Sequence, residues 1–176
     1  HGLIIENFND VPYFPGRVPA ATVAAMTEAG RRIRGAVTLP LGINVLRNDA
    51  RAALAVAYAA EAAFIRINVF VGARLTDQGL IQATAYEVQR ERRRYLPNLA
   101  IFADVAVKHS SPIGTSSLAN EASDAASRGF ADALIVSGTG TGNPTSEVDV
   151  ARVRAAVPEA TVIVGSGVDN DCIGTL

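Results

Sequence analysis

The chain has 176 residues, 49% of them hydrophobic and 19% charged, with a net charge of −1 and a single cysteine. That length fits one domain, the apolar content excludes a disordered chain, and the charge balance excludes a basic footprint for nucleic acid. Cys172, being alone, forms no internal disulfide, which fits a reducing, cytoplasmic compartment. The chain opens on His1-Gly2 and enters an apolar run at once, which reads as an excerpt of a longer protein.

In chain order, six short apolar runs stand out: "LIIEN" (3–7), "LGINV" (41–45), "FIRIN" (64–68), "AIFADV" (100–105), "ALIVS" (133–137) and "VIVGS" (162–166). None alternates fully with polar residues, which predicts strands covered on both faces, as in parallel sheets. Helical stretches lie between them and carry end signals. Pro19 suits a first helical position and Gly35 the residue past the end. Asn48 suits an N-cap, with Asp49 in the first turn behind it. Thr84 and Glu87 have capping-box spacing, and Pro97 closes that helix. Ser117 caps a helix that Gly129 stops, and Ser146 one that Pro158 ends. The most apolar stretch, 52–72, carries Glu61 and Arg66 and is rich in alanine, so it reads as a packed helix and a buried strand, with no transmembrane segment.

Strand and helix thus alternate six times, which implies right-handed crossovers and a parallel α/β sheet. Two architectures meet that demand: an open doubly wound sheet and a (β/α)8 TIM-type barrel. Six units in this length scale to about 235 residues for eight, near the typical barrel. The barrel is therefore favoured, as a single incomplete domain over 1–176 lacking the first and last β/α units. Such a fragment, with two exposed sheet edges, is expected to express poorly on its own.

In a parallel barrel, chemistry collects at the carboxyl ends of strands. Those ends carry Glu6, Asn7 and Asp10; Asn44, Arg47, Asn48 and Asp49; Arg66 and Asn68; Asp104, Lys108 and His109; Ser137, Gly138 and Thr139; and Gly165, Ser166 and Gly167. Asn48 and Asp10 read more simply as a cap and a turn. Glu6, Asn44, Asn68 and Asp104, set within or at the tips of apolar runs, point to a site. Asp104 or Glu6 would serve as acid or base with Lys108 and His109, while Asn44 and Asn68 would orient hydroxyls. Gly165-Ser166-Gly167 presents backbone N–H groups suited to a phosphate, with Ser137 and Gly138 alongside. Two histidines and one cysteine supply no zinc site of the usual kind, leaving magnesium on Glu6 or Asp104 as the one metal reading, and no metal ligand is assigned. "SGTGTGNP" (137–144) misses the dinucleotide fingerprint, since Asn143 stands where the third glycine is required. "RERRRY" (90–95) reads as the solvated end of a helix.

Six stretches, "GLIIENFNDVPYFPGRV", "LPLGINVLRNDARAALAVA", "FIRINVFVGARLTDQGLIQ", "IFADVAVKHSSPIG", "ADALIVSGTGTGNPT" and "VIVGSGV", span nearly the whole chain in order and resemble the BtpA family. The resemblance implies a barrel of the ribulose-phosphate-binding type and a full length well beyond this chain. It implies phosphate binding at Gly165, Ser166 and Gly167 at superfamily level only, and carries across no catalytic residue. Its eponymous cyanobacterial member is linked to photosystem I accumulation at thylakoid membranes, while other members occur where there is no photosynthesis. Two functions are therefore expected in competition. The first is an enzyme binding a phosphorylated small molecule at the strand ends, in the cytoplasm, with homo-oligomers open. The second is a non-catalytic, membrane-peripheral assembly factor for a photosystem I-type complex, using the barrel's outer surface.

Overall fold

The computed structural model describes residues 1–138, 140 and 142–168. Thr139 and Cys172 lie outside these. The elements in order are β1 (Leu3–Glu6), α1 (Ala20–Ala36), β2 (Leu41–Asn44), α2 (Ala50–Ala59), β3 (Phe64–Ile67), β4 (Ala73–Thr76), β5 (Gly79–Gln82), α3 (Ala85–Tyr95), β6 (Ala100–Val105), β7 (Ser110–Pro112), α4 (Leu118–Ser123), β8 (Ala133–Val136), α5 (Glu147–Ala156) and β9 (Thr161–Val164). A π-helical turn, Asp124–Arg128, continues α4 to its stop at Gly129.

All six runs read from the sequence form one parallel six-stranded sheet in the order β1-β2-β3-β6-β8-β9. Its two faces differ. One carries Ile43, Ile65, Ile67, Ile101, Ala103, Leu134 and Val136, which share a core with Met26 of α1, Val56 of α2, Val88 of α3, Ala122 of α4 and Val153 of α5. All five helices thus pack against that face. Alternate residues, Glu6, Asn44, Arg66 and Asp104, fall on the other face, as the period of two requires. There Phe64 and Phe102 stack with ring centroids 4.5 Å apart. Gly42 pairs in register with Phe64, and a Cβ on it would lie 2.0 Å from the Phe64 ring. The glycine lets the ring lie across β2.

A second sheet, β5-β4-β7, is antiparallel and has no counterpart in the sequence reading. Gly79, at φ +93, closes the β4–β5 hairpin behind Asp77-Gln78. Arg74 on β4 anchors this sheet, donating to Ser110 Oγ at 2.6 Å and Glu121 Oε2 at 2.7 Å. Glu121 Oε1 also accepts from the Ala106 N–H at 3.0 Å, so α4 holds the chain that leaves β6.

Several helix ends depart from expectation. Asp49, not Asn48, caps α2, accepting from the Ala52 N–H at 2.9 Å. Asn48 instead exchanges two bonds with the Val69 backbone, at 2.8 and 3.0 Å, because burial puts that peptide within reach and leaves it no water. Gly35 lies inside α1, and Pro19 is its N-cap. Thr84 is the N-cap of α3 but its hydroxyl makes no capping bond. Ser117 and Ser146 cap as expected, accepting from Asn120 and Asp149. Asp10 takes the turn role, its N–H donating to the Asn7 carbonyl at 3.1 Å.

Candidate functional site

The carboxyl ends of β1, β2, β3 and β6 converge on a connected set of side chains. Arg66 on β3 lies at its centre. Its Nε and Nη2 donate to Asp104 Oδ1 and Oδ2 at 2.8 and 2.9 Å, a fork on a carboxylate, and Nη1 reaches Glu6 Oε1 at 3.2 Å. Asn68 Nδ2 donates to Asp104 Oδ2 at 2.8 Å. Asn44 Nδ2 donates to Asn68 Oδ1 at 3.1 Å and to the Arg66 carbonyl at 2.8 Å. Asp104 has a side chain with no exposure at all, so its charge is tolerable only because the guanidinium and the amide neutralise and hydrogen-bond it. Burial works to lower the Arg66 pKa, but the Asp104 and Glu6 carboxylates outweigh it and hold it above its ordinary value.

Above this set opens a cavity of about 430 Å³, lined by Glu6, Phe8, Val11, Tyr13, Leu46, Arg47, Arg66, Asn68, Asp77, Lys108 and His109. The loop from β1 to α1 supplies the aromatic wall, and Asn7 ties it to the end of β2 by accepting from the Leu46 N–H at 2.7 Å. The β4–β5 tip supplies Asp77, and the link from β6 to β7 supplies Lys108 and His109. Ala106 and His109 both have positive φ, of 50 and 56, so non-glycine residues hold a strained backbone on either side of Lys108. Burial, more than any neighbour, pushes the Lys108 pKa below its usual value. Among the described residues no group of three His, Cys, Asp or Glu side chains is placed to hold a metal, and Arg66 already engages both Glu6 and Asp104.

Of the sequence candidates, Glu6, Asn68, Lys108 and His109 line the cavity, while Asn44 and Asp104 lie beneath it and hold the liners. Ser137, Gly138, Gly165, Ser166 and Gly167 stand apart, at the ends of β8 and β9. A Cβ on Gly167 would lie 2.5 Å from Pro144 Cα, and one on Gly138 2.3 Å from the Asn143 carbonyl oxygen. These glycines let the 143–145 segment close down, and Thr145 Oγ1 donates to the Ser166 carbonyl at 2.9 Å. The two regions meet at Gly140, where a Cβ would come within 3.9 Å of His109 Cε1. Ser137 Oγ is buried with no partner among the described residues. The sequence reading placed Arg66 and Arg47 at strand ends but gave neither a role. Nothing local marks them, since the carboxylates that Arg66 holds lie 38 and 60 residues away.

On the opposite side, the arginine-rich end of α3 is partly committed. Arg92 Nη1 donates to Asp132 Oδ2 at 2.5 Å, and Arg94 lies over the Tyr95 ring at 5.0 Å. No described helix is long and apolar enough to cross a membrane.

A parallel-sheet α/β protein with its helices on one face and a charged cavity at the strands' carboxyl ends is the class these features define. The structure of a FabK mutant from Thermotoga maritima is similar in fold, with a TM-score of 0.52 and 16% identity over 96% of this chain and 54% of that one. The family model described as "BtpA family" matches residues 1–176, and the chain belongs to that family. The Photosystem I biogenesis protein BtpA of Synechocystis is 47% identical over 99% of this chain and 61% of its own length. An uncharacterized protein of Thermococcus kodakarensis is 44% identical, covering 96% of this chain and 63% of itself. A mitochondrial uncharacterized protein of Caenorhabditis elegans is 34% identical, again with 96% and 63% covered. The chain thus spans about three fifths of these relatives.

Proposed function

We propose that this chain is the larger part of a (β/α)8 barrel that binds a phosphorylated small molecule at its carboxyl end and acts on it as an enzyme. The observation that carries the reading is the cavity that joins Glu6, Arg66, Asn68, Lys108 and His109 from three separate stretches of chain. Support for the barrel comes from the one-sided placement of the helices. A doubly wound sheet buries both faces under helices, whereas a barrel turns one face inward. The inward face here leaves Ile4 43% exposed at the β1 edge, an apolar surface that two further units would cover.

In this reading Glu6 is the acid or base, since it faces the cavity and only one of its oxygens is engaged among the described residues. Lys108 and His109 share proton transfer, and Asn68 orients a hydroxyl. Asp104, its two oxygens taken by Arg66 and Asn68, serves to position them, with Asn44 behind. The Gly165-Ser166-Gly167 turn and the Ser137 hydroxyl, which has no partner among the described residues, take a phosphate at the other side, with Gly138 giving access. The test is melting of the full-length protein against a panel of sugar phosphates and nucleotides. A true ligand at about a thousandfold excess over its Kd stabilises by about 4 kcal/mol. A panel without a shift, together with full cellular function in a Glu6→Gln variant, refutes the reading.

A second reading has its own support in the 47% identity to the Photosystem I biogenesis protein. Here the chain is a non-catalytic, membrane-peripheral assembly factor that works through the outer helices. Arg93 and Arg94 are the charges to reverse, because reversing Arg92 also breaks its pair with Asp132. Unchanged recovery with membranes after that reversal counts against this reading.

A further inference from the structure

The cavity holds three cations other than histidine, and its carboxylates are not shared evenly among them. Glu6 and Asp104 both pair with Arg66. Asp77, on the hairpin tip, makes its bond to Gln78. Arg47 is only 5% exposed yet has no carboxylate within ion-pair distance among the described residues. Among the described residues its guanidinium makes one bond, from Nη2 to the Lys108 carbonyl at 2.6 Å, and its Nε is buried with no partner. Lys108, whose backbone carbonyl takes that bond, lines the same cavity and also lacks an ion pair among the described residues. A buried guanidinium with spare donors is costly unless an acceptor meets it.

We infer that Arg47 and Lys108 form an oxyanion-binding pair in the cavity, distinct from the glycine turn at 165–167, and that the cavity ligand carries a phosphate or carboxylate at this end. The inference deepens the proposed function, because it names which group of the ligand faces β2. The planar fork of Arg47 suits two oxygens of one anion, and the Lys108 ammonium adds a movable third donor. Burial lowers the pKa of both groups from their ordinary values, and a bound anion would relieve that in each.

The test uses the full-length protein and three probes, inorganic phosphate, ribose 5-phosphate and ribose, followed by calorimetry. Arg47→Met and Lys108→Met are each expected to weaken phosphate and ribose 5-phosphate at least tenfold and to leave any ribose binding unchanged. Arg47→Met is also expected to melt no lower than the parent without ligand, since it removes a buried charge that no described carboxylate meets at ion-pair distance, so lost binding is not lost folding. Ser137→Ala tests the turn side. Ribose 5-phosphate that binds equally well to both Met variants but weakly to Ser137→Ala overturns the inference and leaves the proposed function standing. Phosphate that binds in an Arg47-dependent way, with ribose 5-phosphate no tighter, supports the inference and undercuts the sugar-phosphate reading. No binding of either anion by the parent at millimolar concentration overturns the inference.

Discussion

The two halves of the parallel sheet end in different ways. At β1, β2, β3 and β6 the strands end in charged and amide side chains that hold one another, with Arg66 engaged by two carboxylates. At β8 and β9 they end in glycines and hydroxyls that let backbone approach backbone, as Gly167 does against Asn143 and Pro144. The first half is organised by electrostatics in a dry setting, the second by close packing without side chains. Substitutions should therefore act through charge on one side and through sterics on the other.

The largest expected effect lies in the charged half. Asp104→Ala strands the Arg66 guanidinium, which is 13% exposed, with Glu6 as its remaining carboxylate. Losing one partner of a buried pair costs about 3–5 kcal/mol. Urea unfolding should show that loss, and Asp104→Asn, which keeps the shape and the Asn68 contact, should lose less. Equal losses for the two variants would mean that shape and not charge organises this half. In the glycine half, Gly167→Ala adds a Cβ at φ +65 against Pro144 and should cost about 2–3 kcal/mol. Gly142 has φ +79 but open space around it, so Gly142→Ala should cost only about 1 kcal/mol of backbone strain. If the two alanines cost the same, the close approach adds nothing and the contrast between the halves is lost.

The sheet was legible because its strands are continuous apolar runs, and burial on both sides of "LGIN" is what such a run implies. The β4–β5–β7 sheet was not legible. "ARLT" and "GLIQ" are short, Asp77-Gln78 is no favoured hairpin turn, and β4 pairs with a strand that lies far along the chain, Thr76 opposite Ser110 and Arg74 opposite Pro112. Only Gly79, the residue that takes the positive φ, hinted at it. In the site, the residue types at strand ends were readable, but not their pairing. Asn48 shows why: its capping signal is genuine as chemistry, yet Asp49 is one residue nearer the helix and Val69 offered Asn48 a buried backbone instead. Arg66 and Arg47 looked alike in the sequence, and only the fold shows that one is paired with carboxylates and that the other has no ion pair among the described residues.

The smallest predicted effect probes that difference through pH. Burial comes first in lowering the Lys108 pKa from 10.5, and Arg66 adds to it, while Asp104 and Glu6 oppose it. Well below the folded-state value both folded and unfolded chains hold the proton, and the folded state bears the cost of the confined charge. Between that value and 10.5 the unfolded chain binds more protons, so stability contributed by this group rises with pH and levels off above 10.5. Lys108 is half-exposed, so solvent keeps the effect small. It is best read as the difference between parent and Lys108→Met, in which the tyrosines and other lysines cancel. That difference should shift in the parent's favour as the pH climbs through the alkaline range. Saturating phosphate should flatten it, because an anion on Arg47 and Lys108 raises the ammonium's pKa back toward 10.5. A difference that does not change with pH would show that Lys108 stands in water, and would leave Arg47 as the cavity cation that is confined without a carboxylate at ion-pair distance among the described residues.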